Sequence, residues 1–102
     1  MKQLFSLFLA FVSPMLLLSQ VQVKGVVKDN KQKPMAGVSV AIRDSYDGAT
    51  TDSLGRYSFK TTEKGDHVLE FTSIGYKSVE QKITIGSTAL VIDIVMKEEI
   101  SE

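Results

Sequence analysis

The side chains that could carry chemistry in this chain are few and far apart. His67 is the single histidine, there is no cysteine, and no serine lies in a Gly-x-Ser-x-Gly nucleophile elbow. A metal site needs three or four converging ligands, which one histidine at the start of a predicted strand does not supply. We therefore predict a non-catalytic protein with no cofactor and no metal, and we expect His67 to face solvent.

Three aspartates lie close together in sequence, at Asp44, Asp47 and Asp52. A calcium loop places oxygen ligands at alternating positions and closes with a bidentate glutamate, and this spacing does neither. Aspartate is also common in turns, because its carboxylate accepts nearby backbone N–H groups. We therefore predict three turn residues, with Asp52 accepting N–H bonds in an Asx-type turn ahead of Gly55.

Two tyrosines at predicted loop positions remain as candidate ligand contacts. Tyr46 and Tyr76 lie at the ends of predicted strands, where an aromatic ring could stack on a sugar or on a partner protein. Both rings could equally pack at corners of the fold. The sequence leaves these alternatives open.

The charge balance excludes two classes of partner. The chain has twelve Lys and Arg residues and twelve Asp and Glu residues, so it has no excess of positive charge with which to bind nucleic acid or an anionic membrane surface. Without cysteine there is no disulfide framework and no cysteine-ligated zinc. A length of 102 residues allows one domain.

Residues 1–19 are predicted to be a cleaved signal peptide. A basic start at Lys2 precedes an apolar run over residues 4–18, and a small residue, Ser19, ends it. The alternatives are an uncleaved membrane anchor and a buried helix. The run is shorter than the roughly 20 residues of a spanning helix and contains Pro14. The prediction implies export.

The segment 20–97 is predicted to be all-β. Apolar and polar residues alternate with a period of two, β-branched residues are frequent, and no stretch keeps a helical period. Turn residues separate seven short strands, which favours a small seven-stranded antiparallel β-sandwich. The strands are predicted near residues 21–28, 38–42, 49–51, 56–61, 69–72, 79–85 and 90–96. Residues 98–102 are predicted to form a frayed, linker-like tail.

Three ordered stretches resemble one family. They are residues 23–27 (VKGVV) followed by 34–40 (PMAGVSV), residues 51–59 (TDSLGRYSF) and residues 71–77 (FTSIGYK). Together they are similar to the carboxypeptidase regulatory-like domain, a transthyretin-like β-sandwich. The resemblance implies a motif that serves the fold. Its residues are Gly25, Pro34, Gly37, Asp52, Gly55, Tyr57, Phe59 and Gly75.

The resemblance also implies a setting. In Bacteroidota such a domain often follows the signal peptide of TonB-dependent outer-membrane receptors, and the FTSIGYK stretch looks most like that subgroup. We expect the N-terminal accessory domain of such a receptor, or a truncated remnant. Its partner would be an envelope protein or the receptor body, in the periplasm or at the outer membrane. The alternatives are a free-standing secreted binding domain for glycans and a hydrolase on a transthyretin-like scaffold. Against the hydrolase alternative, this chain lacks the several histidines and the Tyr-Arg-Gly-Ser ending of 5-hydroxyisourate hydrolase.

Overall fold

The computed structural model describes residues 19–99, so the predicted signal peptide lies outside the described residues except for Ser19. Eight strands form in this part of the chain. They are β1 (Val21–Asp29), β2 (Ser39–Ile42), β3 (Gly48–Thr50), β4 (Arg56–Thr61), β5 (Gly65–Thr72), β6 (Val79–Ile85), β7 (Leu90–Val91) and β8 (Ile94–Met96). Between residues 19 and 99 we find no helix long and apolar enough to cross a membrane.

The strands form two sheets. In the first sheet β1 is central, with β4 on one side and both β7 and β8 on the other. The second sheet has the order β3-β2-β5-β6, and all its pairs are antiparallel. The predicted all-β sandwich is therefore confirmed, with eight strands in place of seven.

The pairing of the last strands differs from the prediction. The alternation over residues 90–96 predicts one antiparallel strand, but β7 and β8 are separate, and both run parallel to β1. Parallel neighbours need a long crossover connection, usually a helix. Here the strands of the second sheet provide it, because the chain returns from β6 to the first sheet at β7.

The core lies between the sheets and follows the alternation in sequence. Along β1, Val21, Val23, Gly25 and Val27 are buried, whereas the residues that alternate with them are more exposed. Tyr57 of the first sheet meets Phe71 of the second edge to face, with ring centroids 5.7 Å apart. Aromatic pairs favour this arrangement because the edge of one ring is positive and the face of the other negative.

The strand directions divide the loops between two ends of the sandwich. β1 begins at the first end, where the β2–β3, β4–β5 and β6–β7 connections also lie. At the second end are the β1–β2, β3–β4 and β5–β6 connections and the end of β8. The two termini of the domain therefore leave from opposite ends.

The beginning of the predicted tail is paired. Tyr76 and Glu98 form an antiparallel bridge, and the N–H of Glu99 donates to the carbonyl of Gly75 at 2.9 Å. The prediction of a frayed segment from residue 98 is therefore wrong for residues 98 and 99. Backbone bonds to the β5–β6 loop hold them. Residues 100–102 lie outside the described residues.

Candidate functional site

A groove runs across the outer face of the first sheet. Its volume is about 560 Å³. We call it the outer groove, lined by Gln22, Lys24, Gly25 and Val26 of β1, Arg56, Tyr57 and Ser58 of β4, and Asp52, Val91 and Asp93. Apart from the buried Gly25 and Tyr57, outward-facing residues on alternate positions of neighbouring strands thus form one surface.

The groove owes its shape to the break between β7 and β8. At Ile92 the chain leaves the regular ladder, yet the Ile92 N–H still donates to the carbonyl of Lys24 at 2.8 Å. The Ile92 carbonyl points towards Gly25, and a Cβ built on Gly25 would lie only 1.8 Å from that oxygen. Glycine at this position therefore permits the close backbone approach.

The Tyr57 hydroxyl satisfies the carbonyl that the break leaves without a strand partner. It donates to the Ile92 oxygen at 2.6 Å. Burial raises the pKa of Tyr57 above its ordinary value, with a further contribution from the charge of Asp93. A phenol that stays neutral and donates to a fixed carbonyl holds structure and is not poised for proton transfer.

The Asp93 side chain replaces a backbone acceptor that the break removes from the β1 ladder. Its carboxylate Oδ1 accepts the backbone N–H of Val26 at 2.9 Å, where a carbonyl of a continuous strand would otherwise serve. The side chain is exposed, but this bond commits one of its oxygens to the backbone of β1.

Asp52 and Arg56 form the rim at the second end of the groove. Asp52 Oδ1 accepts the N–H groups of Leu54 and Arg56, both at 2.9 Å, and Oδ2 pairs with the Arg56 Nε at 3.0 Å. The bond from the Arg56 N–H, supported by that from Leu54 and by the guanidinium charge, holds the pKa of Asp52 below its ordinary value. An Asx-type turn has this geometry.

The floor of the groove is apolar and its rim is charged. Val91 is 64% exposed and lies beside Lys24 in the sheet register, with Val26 next along β1. Asp52 and Asp93 are engaged in the bonds described above, whereas the structure gives Lys24 no ion pair with a described residue. An apolar patch with a polar rim is the arrangement typical of protein interfaces.

The two candidate ligand tyrosines do not come together. Tyr46 is fully exposed in the β2–β3 loop at the first end of the sandwich. Tyr76 lies in the β5–β6 loop at the second end, is partly buried and packs against the core. They therefore cannot form one binding platform.

The remaining motif residues lie in turns and in the core. Gly37, Gly55 and Gly75 have φ angles of 77°, 76° and 86°, in the left-handed region that glycine adopts most readily. Pro34 forms an isolated bridge with Lys28 beside β1. Phe59 packs against the core next to Tyr57, with ring centroids 6.4 Å apart.

The other titratable candidates are dispersed. His67 lies within β5 and is partly buried, with Nε2 3.0 Å from the Lys64 carbonyl oxygen. Asp47 accepts a 2.6 Å bond from the Thr61 hydroxyl. Within residues 19–99 no three His, Cys, Asp or Glu side chains converge in a way that could hold a metal ion.

Sequence reasoning missed Asp93, Arg56 and Val91. A signal for Asp93 was present, because aspartate is disfavoured within strands and here interrupts an otherwise apolar alternation. For the other two residues no signal was available, since their importance depends on which strands become neighbours of β1.

The comparisons with known proteins agree with this fold. The family model of the CarboxypepD_reg-like domain matches residues 23–102. A TonB-dependent receptor of Formosa agariphila is 35% identical over 82 residues, which are 80% of this chain and 8% of the receptor. The TonB-dependent receptor SusC of Bacteroides thetaiotaomicron is 28% identical over 72% of this chain and 7% of its own length.

A further relative has a name that does not describe a receptor. The serine-aspartate repeat-containing protein F of Staphylococcus epidermidis is 34% identical over 66% of this chain and 5% of its own length. The chain therefore spans less than a tenth of each of these curated relatives.

Solved structures share the fold across unrelated activities. A type II cohesin–X-dockerin complex from Acetivibrio cellulolyticus matches with a TM-score of 0.65 at 21% identity, over 76% of this chain and 58% of that one. Chlorocatechol 1,2-dioxygenase from Pseudomonas putida matches with a TM-score of 0.62 at 11% identity, over 78% of this chain and 61% of the enzyme. At such identities the likeness concerns the fold alone, and the activity must be argued from the site.

Proposed function

This chain belongs to the CarboxypepD_reg-like domain family, and from that premise we propose that it is a non-catalytic cell-envelope module that binds a protein partner through the outer groove. In its finer form, the proposal is that the module is the N-terminal accessory domain of a TonB-dependent outer-membrane receptor, or a remnant of one. The partner would then be the receptor body or another envelope protein.

The exposed valine on the β7 side of the groove carries the proposal. Val91 presents an apolar side chain near Val26, on a sheet face that also carries polar side chains such as Lys24 and Arg56. A well-packed apolar centre within a polar rim is where protein interfaces gain most of their free energy. The two TonB-dependent receptors among the relatives support an envelope setting.

The bonding of the polar groups supports a role without catalysis. The Asp93 carboxylate accepts the Val26 N–H, and the Tyr57 hydroxyl donates to the Ile92 carbonyl. The Asp52 carboxylate stabilises a turn and pairs with Arg56. Each group stabilises the shape of the groove. A general acid or base needs a free proton-transfer atom facing the substrate.

Glycan binding is the alternative, and one observation favours it. Tyr46 is fully exposed and could stack on a sugar ring. It lacks a second aromatic beside it, however, because Tyr76 lies at the opposite end and packs against the core. We therefore favour the protein partner.

Site-specific photocrosslinking tests the proposal. A benzophenone amino acid is placed at Val91, or at Lys82 on the outer face of the second sheet as the control, and the chain is irradiated in the envelope of its own organism. We expect Val91 to crosslink to a membrane receptor identified by mass spectrometry, and Lys24→Glu to reduce the yield. Equal crosslinking at both positions, or none at Val91, would contradict the proposal.

Reading the genome beyond codon 102 tests the finer form separately. A continuous frame that encodes a plug and a barrel would support the accessory-domain form. A stop codon without such a frame would contradict the accessory-domain form, and only the envelope module, as a remnant or a free-standing domain, would then be supported.

A further inference from the structure

The first and last described strands lie side by side and point the same way. β1 begins at Val21 at the first end of the sandwich, and β8 finishes at Met96 at the second end. A force that draws the two termini apart therefore pulls β1 and β8 in opposite directions along their shared ladder.

That ladder is bonded along most of its length. Lys24 pairs with Val91, and Ile92 donates to Lys24 at 2.8 Å. The Asp93 carboxylate then bridges the break by accepting the Val26 N–H at 2.9 Å. Beyond the break, pairing resumes from Val27 with Ile94 to Asp29 with Met96.

The end of β8 is also tied to the second sheet. The Lys77 N–H donates to the Lys97 carbonyl at 2.9 Å, and the Glu99 N–H donates to the Gly75 carbonyl at 2.9 Å. Lys77 and Gly75 both belong to the β5–β6 connection. Tension at the C-terminal end therefore meets these bonds as well as those to β1.

Parallel terminal strands resist force in a particular way. Hydrogen bonds between two strands that are pulled in opposite directions along their length share the load and must break together. When the two strands of a hairpin are pulled apart at its open end, the bonds break one after another. We propose that the β1–β7–β8 ladder is a mechanical clamp that keeps the domain folded when tension acts between its termini. This goes beyond binding at the outer groove and does not depend on which partner binds there.

Single-molecule force spectroscopy with two attachment geometries tests the clamp. Because the full chain has no cysteine, Gln20→Cys with Lys97→Cys defines attachment points that load the ladder lengthwise. Thr62→Cys with Ser87→Cys instead pulls apart the open end of the β5–β6 hairpin. The clamp predicts a higher unfolding force for the first pair at equal loading rate. Equal forces, or a lower force for the first pair, would overturn it.

The length released identifies each event. An extended chain spans about 3.3–3.6 Å per residue, so unfolding between residues 20 and 97 releases roughly 25 nm and opening between residues 62 and 87 roughly 8 nm. Events of other lengths are not counted as clamp or hairpin rupture.

A pair of matched substitutions locates the resistance. Asp93→Ala removes the carboxylate that bridges the break. Asp66→Ala removes a 2.8 Å bond with the Thr84 hydroxyl between β5 and β6, away from the ladder. With attachment at residues 20 and 97, we expect Asp93→Ala to unfold roughly tenfold faster at constant force, as befits loss of a bond to a charged group. Asp66→Ala should unfold at the wild-type rate, and equal acceleration by both would place the resistance elsewhere.

Discussion

The backbone of Gly25 lies directly against the carbonyl of Ile92, so that a Cβ at residue 25 would fall 1.8 Å from the carbonyl oxygen and 2.9 Å from the Tyr57 hydroxyl. One missing side chain thus permits both the break between β7 and β8 and the hydrogen bond that stabilises it. Val91, which lines the outer groove, directly precedes this break.

Gly25→Ala should therefore destabilise the domain. The added methyl group would meet backbone atoms that cannot rotate away, and overpacking of this kind typically costs about 1–3 kcal/mol or more. Urea unfolding followed by circular dichroism measures the loss. Gly86→Ala is the control, because a Cβ there meets nothing within 4 Å, and its free energy of unfolding should stay close to that of the wild type.

Thr51 should be sensitive although it is a small polar residue. Its side chain is buried, its hydroxyl donates to the Met35 carbonyl at 2.6 Å, and the same oxygen accepts the Val38 N–H at 2.9 Å. Thr51→Val keeps the shape but leaves two backbone groups without a partner, at a cost of about 1–3 kcal/mol for each group left unsatisfied. Thr50→Val, at an exposed neighbouring position, should cost little in the same unfolding measurement.

Arg43 should matter most at low ionic strength. Glu70 and Glu80 lie directly opposite each other on β5 and β6, and the Arg43 guanidinium pairs with both. Arg43→Gln leaves two like charges facing each other, and because these side chains are substantially exposed we expect only a small loss of stability.

Salt dependence and a second substitution test this interpretation of Arg43. The loss should shrink when salt screens the glutamates. Adding Glu80→Gln to Arg43→Gln should restore part of the stability. A loss that neither salt nor the second substitution changes would assign Arg43 a packing role instead.

Acid should weaken the domain through Asp52. The N–H groups of Arg56 and Leu54 and the Arg56 guanidinium lower the pKa of Asp52 in the folded state below its ordinary value of 3.8. A carboxyl whose folded pKa is lowered contributes stability that is present above the unfolded pKa and is lost as the pH falls through the folded pKa. Thermal unfolding temperatures should therefore decline below about pH 4.

Asp52→Asn separates this contribution from that of other carboxyls. The variant should be less stable than the wild type at pH 7, and the difference between the two should narrow at pH 3. Asp29, whose pKa is lowered chiefly by the N–H of Lys33, should preserve part of the acid sensitivity in the variant. A constant difference at all pH values would contradict the role given to the Asp52 charge.

Local patterns in the sequence predict most strands, because burial on one face imposes alternation wherever a strand forms. The apolar alternation continues through the break, at Leu90, Ile92, Ile94 and Met96. These side chains still point into the core although regular strand pairing with β1 is interrupted between β7 and β8. That pattern therefore cannot reveal the interruption. The signals are Asp93 on the opposite face of that strand and Gly25 on the neighbouring strand β1.

The candidate site depends on long-range pairing that a local pattern does not encode. Val91 lies beside Lys24 because a strand near the end of the chain returns to the first one. Tyr46 and Tyr76 both occupy loops, as the sequence predicts, but their placement at opposite ends follows from strand directions. A local pattern therefore predicts exposure better than it predicts which exposed residues meet.

The accessibility of residue 91 in the envelope tests the binding role of the outer groove most directly. Because the chain has no cysteine, Val91→Cys and Lys82→Cys each introduce one thiol, and a soluble maleimide reports its exposure. In the purified chain both should react readily. In the intact envelope the thiol at residue 91 should react much more slowly, while that at residue 82 keeps its rate. Unchanged reactivity at residue 91 would contradict occupation of the outer groove by a partner.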